Sequence, residues 1–279
     1  MSTPPRTVFA ALVDDAAMFP PGNASPDVAL AEHLRHRRSW YADLIGPLLV
    51  PAGAFDAFTA AHRAAGSPAV TVVLIGSTTL PPAVPDAVTV AGFEVAVADV
   101  PLPRTGDGPT LAAEVATGAA ADRVLAAVGK EAASGRRVVA KLRTGGVQPA
   151  AFPSEESLAG ALASAIDVRA PLKLTAGLHH ALRYTDARTG FEHHGFLNVL
   201  LAVVDILDGS DAGTAAVTLA IRDQGLVLAR VEELPGERLV AARRWFVSFG
   251  CCGVHEPVAD LARLGLVADG VAAPPPEED

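Results

Sequence analysis

The sequence predicts an α/β fold of the barrel type, a TIM-like (βα) barrel with seven or eight parallel strands. Short runs rich in Val, Ile and Leu alternate with longer stretches rich in Ala and Leu, as expected for buried parallel strands joined by helices. Half of the 279 residues are hydrophobic, so the chain can bury a sizeable core. This length also suits one barrel, because such domains commonly have about 250 residues. We therefore expect a single barrel domain over residues 1–270.

Seven short apolar runs that end near Gly, Asp or Pro are predicted to be strands: Val8–Val13, Ile45–Val50, Val70–Ile75, Phe93–Ala98, Arg137–Leu142, Pro171–Thr175 and Trp245–Phe249. A closed barrel needs an eighth strand, for which Leu226–Val231 is the candidate, although its pattern also fits a helix. An open doubly wound sheet is the alternative architecture. Its dinucleotide-binding form is disfavoured, because no Gly-x-Gly-x-x-Gly motif follows the first run.

The longer stretches between these runs are predicted to be helices: Ser25–Asp43, Ala54–Ala65, Thr110–Ser134, Ser154–Ile166, Phe196–Leu207 and Pro257–Leu264. The fourth helix has a clear start, because Ser154 can cap its first turn and two glutamates follow. The Pro-rich segment Gly76–Gly92 is predicted to be a loop. Residues 271–279 contain three prolines followed by three acidic residues, which indicates a disordered tail.

The composition argues against several functional classes. The net charge is −9, which disfavours a nucleic-acid partner because phosphate backbones attract basic surfaces. No apolar run reaches the length of about 18 residues that indicates a membrane span. The two cysteines, Cys251 and Cys252, are adjacent, so they are not an ordinary disulfide pair, and we expect a reducing, cytoplasmic location. The pattern leaves the oligomeric state open, with a homo-oligomer among the alternatives.

Polar side chains follow most of the predicted strands. Because parallel α/β folds bind ligands where their strands end, these side chains predict an enzyme-like site. The first group consists of Asp14 and Asp15 after the first strand, Asp99 after the fourth and Ser248 in the last strand. Asp14 and Asp99 are candidate catalytic groups, whereas Asp15 and Ser248 are candidate substrate ligands.

Two lysines are predicted to point into the barrel. Residues two apart in a strand share a face, so Lys141 and Lys173 are expected opposite the leucines that face the helices. Two neighbouring buried lysines would lower each other's pKa through repulsion and desolvation. A lysine with a lowered pKa is suited to act as a Schiff-base nucleophile or a general base. In the alternative interpretation, each lysine neutralises a buried acid such as Asp14, Asp15 or Asp99.

The segment Lys173-Leu-Thr175-Ala-Gly177, one unit after the strand with Lys141, resembles the class I aldolases of barrel fold, of the deoxyribose-phosphate aldolase type. This resemblance implies that Lys141 forms the Schiff base and that Lys173 tunes it. The likeness covers only the stretch around the two lysines. The run that begins at Arg143, Arg-Thr-Gly-Gly, departs from the family's Ser/Thr-Gly pattern. A barrel family of unassigned activity is the alternative, and it would imply no function.

Four of the eight histidines lie within sixteen residues: His179, His180, His193 and His194. Imidazoles grouped with carboxylates can bind Zn, Mn or Fe, and His179, His193 and His194 are the candidate ligands. His179 or His180 could instead act as a general acid–base. The run His-His-Gly-x-x-Asn resembles metal-dependent barrel lyases but lacks their His-x-His pair. A solvated loop is the third interpretation. His33, His36 and His62 are expected on helix surfaces.

An anion site is predicted beside the fifth strand. Glycines allow close backbone approach, and a helix N-terminus favours an anion. Paired arginines could then hold a carboxylate or a phosphate. The candidate substrate ligands are Arg143, Thr144, Gly145, Gly146, Thr175, Arg183 and Asn198. An ordinary turn is the alternative.

Three functional hypotheses follow. The first is a lysine-dependent enzyme, lyase- or aldolase-like, that acts on a small anionic carbonyl compound. The second is a metal-dependent lyase or hydrolase that uses the histidine cluster, with a divalent metal as the one cofactor that the pattern suggests. The third is a non-catalytic barrel that binds a small molecule, since a fold does not determine a function. Cys251 and Cys252 are expected to be small buried side chains, with a reactive thiol as the alternative.

Overall fold

The computed structural model describes residues 4–106, 108–116 and 120–268. Its main feature is a closed barrel of eight parallel strands: β1 (Val13–Asp15), β2 (Ile45–Pro51), β3 (Val70–Ile75), β4 (Val88–Val97), β5 (Thr110–Val115), β6 (Val138–Arg143), β7 (Leu172–Thr175) and β10 (Phe246–Cys251). Neighbours follow the chain order, and β10 closes the barrel between β7 and β1. The predicted TIM-like barrel is confirmed in its closed, eight-stranded form, and the open doubly wound sheet is wrong.

Helices surround the barrel: α1 (Pro26–His36), α2 (Phe55–Ala64), α3 (Ala121–Ala133), α4 (Glu155–Asp167), α5 (Phe196–Leu207), α6 (Ala212–Ala220), α7 (Gln224–Glu233), α8 (Gly236–Ala242) and α9 (His255–Arg263). As predicted, Ser154 caps α4, where its hydroxyl accepts a hydrogen bond from the Ser157 amide. Among the described residues, no helix has both the length and the apolar character needed to cross a bilayer.

The strand that the sequence pattern did not reveal is β5. It occupies the start of Thr110–Ser134, a segment whose composition predicts a helix. Its composition is rich in Ala, which hides the alternation of Leu111 and Val115 on the outside with Glu114 on the inside. The candidate Leu226–Val231 is instead part of α7. That helix starts where the Asp223 side chain accepts a hydrogen bond from the Leu226 amide.

The first strand also differs from its prediction over Val8–Val13. Residues Arg6–Phe9 form a 3-10 helix, and the strand begins only at Val13. Val8 and Phe9 are fully buried against the barrel, and the Arg243 side chain donates hydrogen bonds to the carbonyls of Val8 and Ala10. The apolar side chains of this run indicate burial, but a buried run need not be a strand.

Smaller corrections concern where elements begin and end. The first helix ends at His36 and does not continue to Asp43. The loop predicted over Gly76–Gly92 is shorter, because β4 already begins at Val88. The predicted tail, 271–279, lies outside the described residues, and a single domain over 1–270 stays a prediction.

Alternating side chains divide the barrel into an outer and an inner layer. Leu172 and Leu174 of β7 are fully buried in the main core between the barrel and its helices. Lys173, between them, points inward. A smaller core packs β2, β3 and β4 against α1 and α2. The chain from β7 to α5 forms a long loop that contains a short antiparallel hairpin, β8 (Tyr184–Thr185) and β9 (Glu192–His193).

Candidate functional site

A network of charged side chains fills the middle of the barrel. Lys141 and Lys173 are cross-strand neighbours on β6 and β7, and each is only 4% exposed. Glu94 of β4 lies between them, with Oε2 2.7 Å from the Lys141 ammonium and Oε1 bonded to Lys173. The two lysines therefore share one carboxylate.

Two more carboxylates complete the network. Asp14 Oδ2 lies 2.6 Å from the Lys173 ammonium and accepts a hydrogen bond of 2.8 Å from the Ser248 hydroxyl. Glu114 Oε2 lies 3.0 Å from Lys141, and its Oε1 accepts from Arg143 at 2.8 Å. Three carboxylates thus meet three cationic groups, and the network is neutral when all six are ionised.

The lowered pKa predicted for the lysines is wrong for Lys173. Burial opposes its charged form, but the attraction of Asp14 and Glu94 outweighs burial and raises the pKa of Lys173 above its ordinary value. Burial likewise opposes ionisation of Glu94, yet the two lysines hold its pKa below the usual range. The alternative interpretation, in which each lysine neutralises a buried acid, describes this geometry, with Glu94 and Glu114 in place of Asp15 and Asp99.

Gly46 of β2 makes room for this network. A Cβ atom at Gly46 would overlap the Oδ1 atom of Asp14. Any other residue would therefore push the carboxylate away from Lys173. The glycine is needed for close approach at this point, since its φ is not positive.

A cavity of about 190 Å³ adjoins the network. Asp14, Glu94, Lys173 and Ser248 lie at its inner end. Apolar side chains near the amino ends of the strands supply much of the remaining wall: Pro47, Val73, Ala112, Val139 and Val247. The space beside the lysines is thus directed away from the carboxyl ends of the strands, where barrel enzymes carry their sites.

A second group of reactive side chains lies at the carboxyl ends of β7 and β10; we call it the mouth cluster and define it as His179, Cys251, Cys252 and Glu256. Cys251 is the last residue of β10, and Glu256 lies in the first turn of α9. His179 comes from the loop after β7. The barrel therefore brings together residues that are more than seventy positions apart in the chain.

His179 is the centre of the mouth cluster. Its Nδ1 atom lies 2.5 Å from Glu256 Oε2 and 3.7 Å from Cys251 Sγ. Its Nε2 atom lies 3.9 Å from Cys252 Sγ. Cys251 is buried, whereas Cys252 is half-buried and the Glu256 side chain is 47% exposed. The cluster thus has a buried side and a side open to solvent.

The electrostatics of the mouth cluster favour a positive charge. Burial opposes a charged imidazole at His179, but its contacts with the two thiols and Glu256 raise its pKa well above the ordinary value. The hydrogen bond from His179 lowers the pKa of Glu256. Burial raises the pKa of Cys251, so its thiol is protonated near neutral pH. A metal ion bound between these groups would replace the protons of the imidazole and the thiol, since a metal ion deprotonates a coordinating thiol.

The mouth cluster contains a donor set suited to zinc. One ligand atom each from His179, Cys251 and Glu256 lie within 4.8 Å of one another. A tetrahedral zinc ion with Zn–S near 2.3 Å and Zn–N near 2.0 Å separates S and N by about 3.5 Å, and the observed separation is 3.7 Å. The Glu256 oxygen must move outward by about 0.8 Å to reach a tetrahedral N–O separation, and its exposed side chain is free to do so.

Aromatic and histidine side chains of the hairpin border the mouth cluster. The Tyr184 ring stacks on His193 at 4.7 Å, and His193 Nδ1 contacts the Gly177 carbonyl at 2.9 Å. Burial raises the pKa of Tyr184 to about 12. His180 lies beside them, 3.1 Å from Asp260, which also accepts a hydrogen bond from the Ala181 amide. His180 is therefore bound to its own carboxylate rather than to the mouth cluster.

Two of the three acids predicted after the first and fourth strands, Asp15 and Asp99, lie away from both the interior network and the mouth cluster. Asp15 is buried on the outer side of β1, where its carboxylate lies 3.0 Å from His33 of α1. Asp99 is exposed and pairs with Arg123 at 2.7 Å. The prediction of surface histidines is wrong for His33, His36 and His62, which are all buried.

Arg183, His194 and Asn198 form a buried structural group. Arg183 is only 8% exposed and pairs with Glu155 and Glu192. His194 is fully buried, with Nε2 2.8 Å from the Pro153 carbonyl and Nδ1 3.3 Å from Arg183. The Asn198 side chain accepts from the Arg183 amide and donates to the carbonyls that end α6. His194 is thus not available as a metal ligand.

The predicted anion site is closed by packing. A Cβ atom at Gly145 would lie 2.8 Å from the Gly177 Cα, and one at Gly146 would lie 2.8 Å from the Ala151 side chain. Thr144 donates a hydrogen bond to the Ala176 carbonyl. These glycines allow two loops to pack together. Thr175 faces the barrel interior near Gly250, and Arg143 keeps half of its side chain exposed despite its bond to Glu114.

Sequence reasoning missed Glu94, Glu114 and Glu256. The signal for Glu94 was present, because it is a single acidic residue within an apolar strand. Glu114 was placed in a predicted helix, which concealed its inward position. Glu256 lies in the first turn of the last helix, and only the fold brings it to His179.

Comparison with known proteins adds no identification: no protein-family model matches the chain, and no curated protein or solved structure matches it either.

Proposed function

We propose that the chain is a metal-dependent enzyme, a lyase or hydrolase, whose catalytic zinc-type ion is held by His179, Cys251 and Glu256. The observation that carries this proposal is the convergence of three ligand atoms within 4.8 Å at the carboxyl end of the barrel. Catalytic zinc sites typically have three protein ligands and leave the fourth position to water or substrate. Structural zinc sites use four protein ligands.

A metal ion at this position would act as a Lewis acid on a carbonyl or phosphoryl oxygen of the substrate. The chain's own residues would bind and orient that substrate. Arg143 is the one cation of the interior network that reaches solvent, with half of its side chain exposed. A carboxylate or phosphate can bind a guanidinium through paired hydrogen bonds. A small anionic carbonyl compound therefore remains the substrate class that we propose.

Cobalt substitution tests the ligand set directly. We expect the Co²⁺ protein to show thiolate-to-cobalt charge-transfer absorption, and Cys251→Ser to abolish it. Cys252→Ser is the matched control, because this thiol lies beside Nε2 and outside the three-atom group. Absorption that is equal in the wild type and Cys251→Ser would overturn the proposal.

Thiol catalysis is a second candidate function, favoured by one observation. Glu256 contacts His179 Nδ1 while the opposite nitrogen, Nε2, faces the half-exposed Cys252 thiol at 3.9 Å. A nucleophile, a base and an orienting carboxylate in this order are the parts of a catalytic triad. Rapid alkylation of Cys252 by iodoacetamide that His179→Ala suppresses, in a metal-free protein, would favour this candidate.

The Schiff-base hypothesis stays a prediction for Lys141 and Lys173. Two carboxylates hold each lysine, and the raised pKa of Lys173 removes the free amine that a nucleophile needs. We expect no trapped adduct when the protein is treated with borohydride and small aldehydes or keto acids. A cytoplasmic location also stays a proposal, supported by two free cysteines.

A further inference from the structure

A second group of potential metal ligands lies outside the barrel, where the first helix meets the last. Glu32 and His36 are four residues apart on α1 and so share one face of that helix. His255 is the first residue of α9. One ligand atom from each of these three residues lies within 4.8 Å of the others.

We propose that Glu32, His36 and His255 form a second zinc site, distinct from the mouth cluster, that joins α1 to α9. Two imidazoles and a carboxylate are a donor set that zinc accepts. The helices belong to the first and last units of the barrel, whose strands β1 and β10 pair with each other. A metal ion here would link the outer helices at the place where β1 and β10 close the barrel.

Tyr41 orients the two imidazoles. Its hydroxyl lies 3.0 Å from His36 Nδ1 and 3.4 Å from His255 Nδ1. The two imidazole rings meet edge to face with their centroids 4.7 Å apart. Metal-binding histidines are commonly held by such a partner on the ring, which fixes their orientation. The two rings are therefore close to one another.

Access to the site comes from the surface. A cavity of about 510 Å³ borders it and is lined by Trp40, Tyr41, His255 and α9 side chains. An ion can thus reach His255 from the surface without opening the fold. Glu32 pairs with Arg35. Both side chains are substantially exposed, and such surface pairs contribute little free energy, so Glu32 can turn to the metal.

Metal titration of the full chain and its variants tests this proposal. We expect the wild type to bind two equivalents of Co²⁺, and Glu32→Gln and His255→Ala to bind one. Their residual affinity for the second equivalent should fall more than about 100-fold, since even outer-shell changes cost 10–100-fold. Both variants change partly or fully exposed residues, so they are expected to fold. Arg35→Ala is the matched control, because it frees Glu32 and should bind the second equivalent at least as tightly.

This experiment can refute each of the two proposed metal sites independently of the other. The thiolate–cobalt absorption reports only the mouth cluster, because the second site contains no cysteine. If Glu32→Gln and His255→Ala bind as many equivalents as the wild type, the second site is wrong, whatever the absorption shows. If the absorption is absent but both variants lose one equivalent, the second site stands and the proposed catalytic metal is wrong.

Discussion

The barrel interior and its mouth both contain clusters of ionisable side chains, but the two clusters are arranged to opposite effect. In the interior, Lys141 and Lys173 are each held by two carboxylates and are almost fully buried. At the mouth, His179 faces two thiols and Glu256, with part of the cluster open to solvent. The interior charges neutralise one another. At the mouth, the two thiols and Glu256 can each become an anion, whereas only His179 can become a cation.

This difference separates a structural role from a functional one. Removing one partner of a buried ion pair strongly destabilises the folded protein, because the other charge is left without compensation. Perturbed pKa values beside a solvent-accessible surface are more typical of a functional site. We therefore assign the buried part of the interior network, Asp14, Glu94, Lys141 and Lys173, to the stability of the barrel, and we propose the mouth cluster for the chemistry. Each assignment predicts a different response to mutation.

The largest effect is expected for Glu94→Ala. This change leaves both lysines facing each other without their shared carboxylate, so unfolding in urea should require about 3–5 kcal/mol less free energy. Asp99→Ala is the matched control, because it removes an exposed acid that pairs with Arg123 and should lose far less stability. Equal losses in the two variants would contradict the structural role of the network.

A smaller loss is expected for Gly46→Ala, which forces the Asp14 carboxylate away from Lys173. Overpacking of this kind costs about 1–3 kcal/mol. Gly53→Ala provides the control, because a Cβ atom there would have no neighbour within 4 Å. Thermal unfolding of both variants measures the difference, and a Gly46→Ala protein as stable as Gly53→Ala would show that Asp14 has room to move.

Acid should weaken the interior network. The pKa of Glu94 is lower in the folded protein than its ordinary value of 4.5, so its ionised form stabilises the fold above that pH. This stabilisation is lost as the pH falls below 4.5 towards the folded-state pKa, because the unfolded chain then binds more protons. The urea midpoint should therefore fall less between pH 5 and pH 3 in Glu94→Gln than in the wild type. A steeper fall of the urea midpoint in the variant would contradict this prediction.

The smallest effect on stability is expected at the mouth. Glu256→Gln changes a side chain that is 47% exposed, and surface substitutions usually change stability by no more than about 0.5 kcal/mol. The same variant should lose affinity for the metal. Urea unfolding of the metal-free proteins, followed by Co²⁺ titration, measures both quantities. A large loss of stability without a loss of metal affinity would make Glu256 a structural residue.

The sequence predicted most of the fold because alternation and burial are local properties. Phe93–Ala98 and Pro171–Thr175 both fall on or beside strands that the structure contains. The Ala-rich run at Thr110 was missed, since Ala fits helices and strands alike and only pairing with β4 and β6 decides its state. Val8 and Phe9 of the first apolar run are buried, but the Val8 carbonyl bonds to Arg243, a partner 235 residues away in the chain.

The candidate site was harder to predict, because partners determine the chemistry of each residue. The inward direction of Lys141 and Lys173 follows from strand periodicity. Their charge state does not, since it depends on Glu94, on a strand that lies apart from both in the chain. His179 was a candidate, yet its partners Cys251 and Glu256 lie more than seventy residues later and meet it only because the barrel closes.

Elemental analysis of the purified full chain tests the central claim most directly. We expect His179→Ala to contain one equivalent of transition metal fewer than the wild type. His193→Ala is the matched control, because this neighbouring imidazole contacts the Gly177 carbonyl and lies outside the three-atom group, so its metal content should equal that of the wild type. A His179→Ala protein that retains the full metal content of the wild type would contradict the assignment of the mouth cluster as the catalytic centre.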